Sequence, residues 1–276
     1  MLDAALRTTA WDTHTHVFGP PDRYPLAPKR GYTPPVRWID QLGTASADAG
    51  VGHVVLVHPS VYGYDLSSLT DALHAGAGRY RAVAVVPPDV STSRLLALHQ
   101  LGVRGIRFNL VSIAGNTFDR FDEVAAKAAD LGWHAQIFIH PRNLPDVMRL
   151  RDRTEIPFVF DHFGGFRAGT DVESAEWKSL LALVREANCW VKLSGFYRLS
   201  DRGFPYNDLD PMAQSLASAS IDRLVWGSDW PHTWFWEHAP GNPPRYADLI
   251  APIARSFPDV VVQRRILVDN PKRLYT

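Results

Sequence analysis

Eight short runs with strand composition recur along the chain at intervals of about 30 residues, the length of one strand–helix unit in a parallel sheet. The runs are "WDTHTHVF" from Trp11, "HVVLVHPS" from His53, "RAVAVVPP" from Arg81, "VRGIRFNL" from Val103, "HAQIFIHP" from His134, "FVFDHFGG" from Phe158, "CWVKLSGF" from Cys189 and "RLVWGSDW" from Arg223. Between them lie segments with helical periodicity. Residues 121–132 put Phe121, Val124, Ala125, Ala128 and Leu131 on one face, and Gly132 suits the helix end. Residues 144–153, 174–187 and 68–78 read the same way, and 91–102 begins with a serine N-cap and stops at glycine. Apolar strands alternating with helices mean a parallel sheet covered by helices. Eight repeats within 276 residues predict a closed (β/α)8 TIM barrel, distorted and with a long loop after strand 1. No G-x-G-x-x-G follows the first strand, and neither a 20–50-residue repeat nor a low-complexity linker divides the chain. One barrel domain over residues 1–276 is expected.

Charge narrows the class further. Twenty-nine basic residues balance 29 acidic ones, so no global field draws the chain to nucleic acid or to a membrane surface. No run of 18 apolar residues exists, and "MLDAALRTTA" lacks the features of a signal peptide. The lone cysteine, Cys189, cannot form an internal disulfide and reads as a small core residue. A cytoplasmic protein acting on a small molecule is the expectation, with monomer and homo-oligomer both open.

A barrel of this kind builds its active site from the C-terminal ends of its strands, and reactive groups concentrate there. Asp12, His14 and His16 end strand 1, His58 strand 2, and Arg107 and Asn109 strand 4. His140 ends strand 5, Asp161 and His162 strand 6, Lys192 and Ser194 strand 7, and Asp229 strand 8, with His232 just beyond. Period-two geometry places Asp12, His14 and His16 on one face, and likewise Arg107 with Asn109, and Gln136 with Phe138 and His140. A His-x-His strand presents two imidazoles to one ion. Asp229, in an otherwise apolar run, needs partners if it is buried, and an inward-facing Arg107 wants an anion. His58 and His140 fit a structural role equally well, and Lys192 could face either the helices or the mouth. His53, His74, His99, His134 and His238 read as structural or solvated.

Taken in order, "DTHTHVFGP", "VHPSVYGYD", "RGIRFNL", "FDHFGG", "WGSDWPH" and "DNPKRLY" resemble the amidohydrolase superfamily. The closest likeness is to its amidohydrolase-2 branch, which holds 2-pyrone-4,6-dicarboxylate lactonase and sugar-lactone hydrolases. The resemblance runs from Trp11 to Tyr275 and implies a barrel enzyme that hydrolyses a lactone of a small carboxylated or sugar-derived compound. It implies His14, His16, His162 and Asp229 as catalytic residues, with Asp229 activating water. Substrate contacts are expected from Arg107, Asn109, Tyr62, Arg167, Tyr197, Arg198, His58 and His232. Within this superfamily some members hold zinc and the pyrone lactonase type is regarded as metal-free. The cofactor expectation is therefore either none or a single divalent ion, zinc, on His14, His16, His140 and Asp229. His58 stands where the branch usually has Gln, and "NLVSIAGN" after Arg107 carries no second arginine. The His140-Pro141 pair is similar to metal-dependent decarboxylases of the superfamily. A zinc-dependent decarboxylase or amide hydrolase on the same barrel is thus the alternative. The Pro-rich loop 17–35 and the aromatic "TWFWEH" segment are expected to close over the mouth.

Overall fold

A computed structural model describes residues 2–111, 117–186, 188–238 and 243–276. Its eight strands are β1 (Ala10–Thr15), β2 (Val51–Val57), β3 (Tyr80–Ala84), β4 (Val103–Asn109), β5 (His134–Phe138), β6 (Phe158–Phe160), β7 (Cys189–Ser194) and β8 (Leu224–Gly227). They pair in parallel, each with the next in the chain. The barrel closes just above the last strand, where Asp229 N donates to His14 O (2.8 Å) and His16 N donates to Trp230 O (2.7 Å). The architecture is a (β/α)8 TIM barrel.

The covering helices are α1 (Ile39–Asp48), α2 (Ser67–Ala75), α3 (Thr92–Leu101), α4 (Phe121–Ala129), α5 (Leu144–Arg151), α6 (Ala175–Glu186), α7 (Phe196–Leu199) and α8 (Asp210–Ser220). After β8 come α9 (Thr233–His238), α10 (Tyr246–Ser256), α11 (Val260–Arg264) and α12 (Asn270–Tyr275). α3 shows both expected terminal devices: Ser91 Oγ accepts from Arg94 N, and Gly102 ends the helix at φ +109°. α4 buries Phe121, Val124, Ala125 and Ala128, four of its five expected core positions. Ala187, the expected end of α6, lies outside the described residues, as do 112–116 of "NLVSIAGN". Among the described residues no helix is long and apolar enough to cross a membrane.

Alternation along the strands sorts side chains into two layers. Val54 and Leu56 pack outward into the sheet–helix core, whereas Val55 joins Val83, Trp11 and Tyr275 in a separate inner cluster. Val159, Trp190 and Val225 form a second inner cluster against Leu274. Thus α12 supplies side chains to the N-terminal end of the barrel interior, and the polar inward positions lie nearer the other end.

Candidate active site

β7 shows how the interior changes from apolar to polar. Trp190 belongs to the inner apolar cluster, Lys192 comes two residues later, and Ser194 two after that. Lys192 is fully buried and faces inward, donating to Thr13 O and Gln136 Oε1, each at 2.7 Å. Burial pulls its ammonium down to about 8. Beside it lies Asp161, which is the hub of this layer. Its Oδ1 meets His14 Nδ1 at 3.1 Å and Lys192 Nζ at 3.8 Å, and its Oδ2 meets Arg107 Nη2 at 3.3 Å and Gln136 Nε2 at 3.1 Å. Burial opposes the charge on Asp161, but His14, Lys192 and Arg107 outweigh it and hold the carboxyl well below the usual range.

Above this layer three imidazoles and a carboxylate converge. Asp229 Oδ1 lies 3.6 Å from His14 Nε2 and 3.5 Å from His16 Nε2, and Asp229 Oδ2 lies 3.9 Å from His162 Nε2. Each ring is anchored at its other nitrogen. His14 Nδ1 faces Asp161, His16 Nδ1 meets Val57 O at 2.7 Å, and His162 Nδ1 meets Ser194 Oγ at 2.8 Å. A carbonyl or an ionised carboxylate only accepts, so His14 and His16 carry a proton on Nδ1, and the neutral His14 turns a bare Nε2 lone pair toward Asp229. Burial holds His14 well below its ordinary value and His162 at about 4, so both are neutral at pH 7. Burial also opposes ionisation of Asp229, yet its carboxyl stays well below the usual range, with the Arg198 guanidinium 3.5 Å away.

The backbone carries strain to aim these groups. His162 (φ +51°), Phe163 (+54°), Asp229 (+60°) and His232 (+66°) all adopt the left-handed region, which costs a non-glycine residue roughly 1–3 kcal/mol. Such strain persists only where the surroundings over-determine it. Here the bonds Asp229 N to His14 O and His232 N to Asp229 O (2.7 Å) do so.

Asp12 departs from the expected pattern. A register irregularity in β1 between Asp12 and Thr15 breaks the period-two alternation. The Asp12 carboxylate accepts from the amides of His14 and Ser228 and from the Tyr246 hydroxyl of α10 (2.5 Å). It therefore ties the β1–β8 seam to a covering helix instead of joining His14 and His16 in the mouth.

A cavity of about 400 Å3 opens over the cluster, with His16 and His162 in its lining. Arg107, Asn109, His140, Arg167 and Arg198 also line it. Tyr62, His58, Tyr197 and His232 are buried outside that lining. The Tyr62 hydroxyl accepts from Gly19 N (3.1 Å), His58 Nε2 meets Asp65 O (2.9 Å), and Tyr197 donates to Asp229 Oδ2 (2.8 Å). His140 lies at the cavity wall beyond β5. Among the described residues the group able to surround one ion is His14, His162 and Asp229; His162 stands in it where His16 and His140 were expected. Tyr32, Thr233 and Trp234 complete the mouth from the loop after β1 and from α9, the two segments expected to cover it. Gln136 and Lys192, beneath the floor, were not among the expected site residues; the inward parity of Gln136 was the available signal.

The amidohydrolase family model (Amidohydro_2) matches residues 11–276. The chain belongs to the amidohydrolase family. It is 36% identical to a 4-sulfomuconolactone hydrolase of Rhizobium radiobacter, covering 99% of this chain and 92% of that one. It is 35% identical to a 2-pyrone-4,6-dicarboxylate hydrolase of Comamonas testosteroni, covering 96% and 90%. A crystal structure of a probable 2-pyrone-4,6-dicarboxylic acid hydrolase from Acinetobacter baumannii, with citric acid bound, superposes with a TM-score of 0.85 at 25% identity, covering 97% and 99%. As an amidohydrolase barrel, the chain places its cluster at the strand ends where this fold carries its chemistry.

Proposed function

We propose that this amidohydrolase opens the lactone ring of a small carboxylated or sugar-derived compound, with water activated at Asp229 beside a single divalent cation. One observation carries the reading: a buried carboxylate oxygen with no hydrogen-bond partner faces an imidazole nitrogen that has no proton to give it. Asp229 Oδ1 and His14 Nε2 are both buried and unpartnered. At 3.6 Å, a bare lone pair and a carboxylate repel one another unless a cation or a proton stands between them. The relatives' names, two hydrolases of lactone-ring compounds, support the same class of reaction.

The donor set fits a metal. Nitrogen and carboxylate oxygen ligands suit zinc, and each ring is oriented through its far nitrogen by a carboxylate, a carbonyl or a hydroxyl. His14, His162 and Asp229 would hold the ion, with His16 beside them. When bound, it would supply Lewis-acid polarisation of the ring carbonyl and acidify water. The remaining chemistry belongs to the chain. Asp229 Oδ1 accepts the proton of the attacking water and returns it to the leaving oxygen as the ring C–O bond breaks. Arg107 receives an anionic substituent. Tyr32 and Trp234, at the mouth, exclude bulk water.

A panel of sugar-derived and aromatic-derived lactones, with acid release followed with and without chelator, tests the reading. Acid release on at least one lactone, lost on chelation and in Asp229→Asn, is expected. Release of carbon dioxide in place of ring opening would overturn the lactonase reading. Full activity in metal-stripped protein would overturn the cation.

A further inference from the structure

The ring-opening cluster occupies one end of the barrel, and a second cavity, of about 420 Å3, opens at the other. The starts of β1, β2 and β3 build its floor. His53 and Arg81 stand two residues before Val55 and Val83 of the inner apolar cluster, so they point the same way and cap that cluster from below. His53 stacks on Trp11, with ring centroids 4.6 Å apart. An apolar layer would suffice to close the barrel here, yet this one carries a guanidinium.

Arg81 is half-buried and held by three carbonyls. Its Nε donates to Tyr275 O (3.2 Å), and its Nη1 donates to Gly78 O (3.0 Å) and Tyr80 O (3.1 Å). Carbonyls fix the fork in place without cancelling its charge, and Nη2 takes part in none of these bonds. Arg79, Arg264 and Lys272 line the same cavity, all three of them exposed, and no Asp or Glu does.

Among the described residues, the carboxylate paired with any of these four cations is Asp269, 3.5 Å from Arg264 Nε, in a pair about half exposed on both sides. Thr276 also reaches the wall, and a chain end there brings one negative charge against the four positive ones. Two positive charges are still uncompensated. The neighbours register the crowding. After burial, Arg81 and Lys272 hold His53 below its ordinary value, and Arg81 does the same to Arg104. Cations gathered in this way repel one another unless an anion stands among them.

We propose that this end of the barrel binds a small anion of charge two or more, seated on the Arg81 guanidinium between Arg79, Arg264 and Lys272. The chemistry it recognises is a cluster of oxyanion oxygens, which a planar fork receives in pairs and an ammonium receives as a point charge. Phosphate groups and polycarboxylates both present it. The inference is independent of the ring-opening reading, because the cavity lies at the opposite end of the barrel from Asp229.

Acetylation of Lys272, followed residue by residue by mass spectrometry on the full chain, reads occupancy there. Inorganic pyrophosphate and tricarballylate are the probes, at ionic strength matched with sodium chloride. An anion held beside Asp229 would not shield Lys272, and Lys178 on α6, exposed and paired with Glu173, is the internal control. At saturation one or both probes are expected to slow Lys272 about tenfold and leave Lys178 unchanged. Slowing by pyrophosphate alone assigns a phosphate-bearing ligand, and slowing by tricarballylate alone a polycarboxylate. Slowing by both assigns clustered oxyanions of either source. Arg79→Gln combined with Arg264→Gln, both at exposed positions, should weaken the anion about tenfold or more while lactone turnover is unchanged. No slowing with either probe, equal slowing at Lys178, or full protection in the double variant would overturn the proposal.

Discussion

Tyr197 donates its hydroxyl to Asp229 Oδ2 at 2.8 Å, and this bond divides the two oxygens of that carboxylate between different tasks. Oδ2 is engaged by Tyr197 and faced by Arg198 at 3.5 Å, whereas Oδ1 is left toward the imidazoles with no partner of its own. Burial, with the facing Asp229, holds the phenol well above its ordinary value, so it remains a donor at any working pH. Tyr197 is absent from the cavity lining, so its removal acts on the base and leaves substrate contacts in place. A hydrogen bond to a charged group contributes about 1.5–3 kcal/mol, which predicts a kcat lowered about 10- to 100-fold in Tyr197→Phe. KM should change little. A raised KM at unchanged kcat would make Tyr197 a substrate contact.

Gly227 is predicted to tolerate no side chain. A Cβ there would stand 2.4 Å from His14 Cβ and 2.9 Å from its amide nitrogen, neither of them the far end of a flexible chain. His14 is fixed from three other directions, by its backbone bond to Asp229, by Asp161 and by the strand. Gly227→Ala should therefore cost about 1–3 kcal/mol of stability through overpacking, read as a lowered Tm. It should also lose most activity by displacing His14. A variant with normal Tm and normal kcat would show that β1 can yield at this point.

The barrel was legible because its signal is collective: eight apolar runs at even spacing survive errors in any one of them. Period-two parity also placed Arg107 with Asn109, and Phe138 with His140, at one cavity. It failed at Asp12, because a single register irregularity reverses every later side chain on the strand. The convergence of His162 with His14 and Asp229 depends on left-handed backbone at His162 and Asp229, and non-glycine residues carry no sequence signal for that conformation. The role of Asp161 was hidden for a different reason. Its four partners come from β1, β4, β5 and β7, and only closure of the barrel brings them together.

Stability should fall as the solution is acidified from about pH 6.5 toward pH 4. His58 and His232 are pushed by burial down to about 4, and His134 to about 3, against 6.5 in an unfolded chain. Between those limits the unfolded chain binds protons that the folded one refuses, so lowering the pH favours unfolding. Asp12 opposes them: burial raises it to about 6, so the folded state takes up a proton there before the unfolded one does. With His162 and His14, also held down by burial, the histidines outnumber the one aspartate, so unfolding takes up protons on balance, each net proton adding about 1.4 kcal/mol per pH unit to the slope. Urea unfolding across this range checks the sign. Stability that stayed level or rose on acidification would show that these imidazoles are already protonated in the fold.

Asp161 is expected to govern metal affinity without touching the metal. Its carboxylate faces His14 Nδ1 at 3.1 Å, favours the proton there and so keeps the Nε2 lone pair directed at Asp229. In Asp161→Asn the amide can present its NH2 group to Nδ1, which would favour the opposite tautomer and put a hydrogen where a ligand lone pair is needed. Loss of such an orienting partner typically costs about 10- to 100-fold in metal affinity, measurable by competition with a chromogenic chelator. The same change strips the buried Lys192 and Arg107 of their shared counter-charge, and breaking a buried pair costs about 3–5 kcal/mol. The two effects can be separated. Asp161→Asn with the companion change Lys192→Met removes one stranded cation and should recover part of the lost stability. Because the tautomer of His14 is still unsupported, metal affinity should stay low. Full recovery of metal binding in the double variant would show that Asp161 serves charge balance alone.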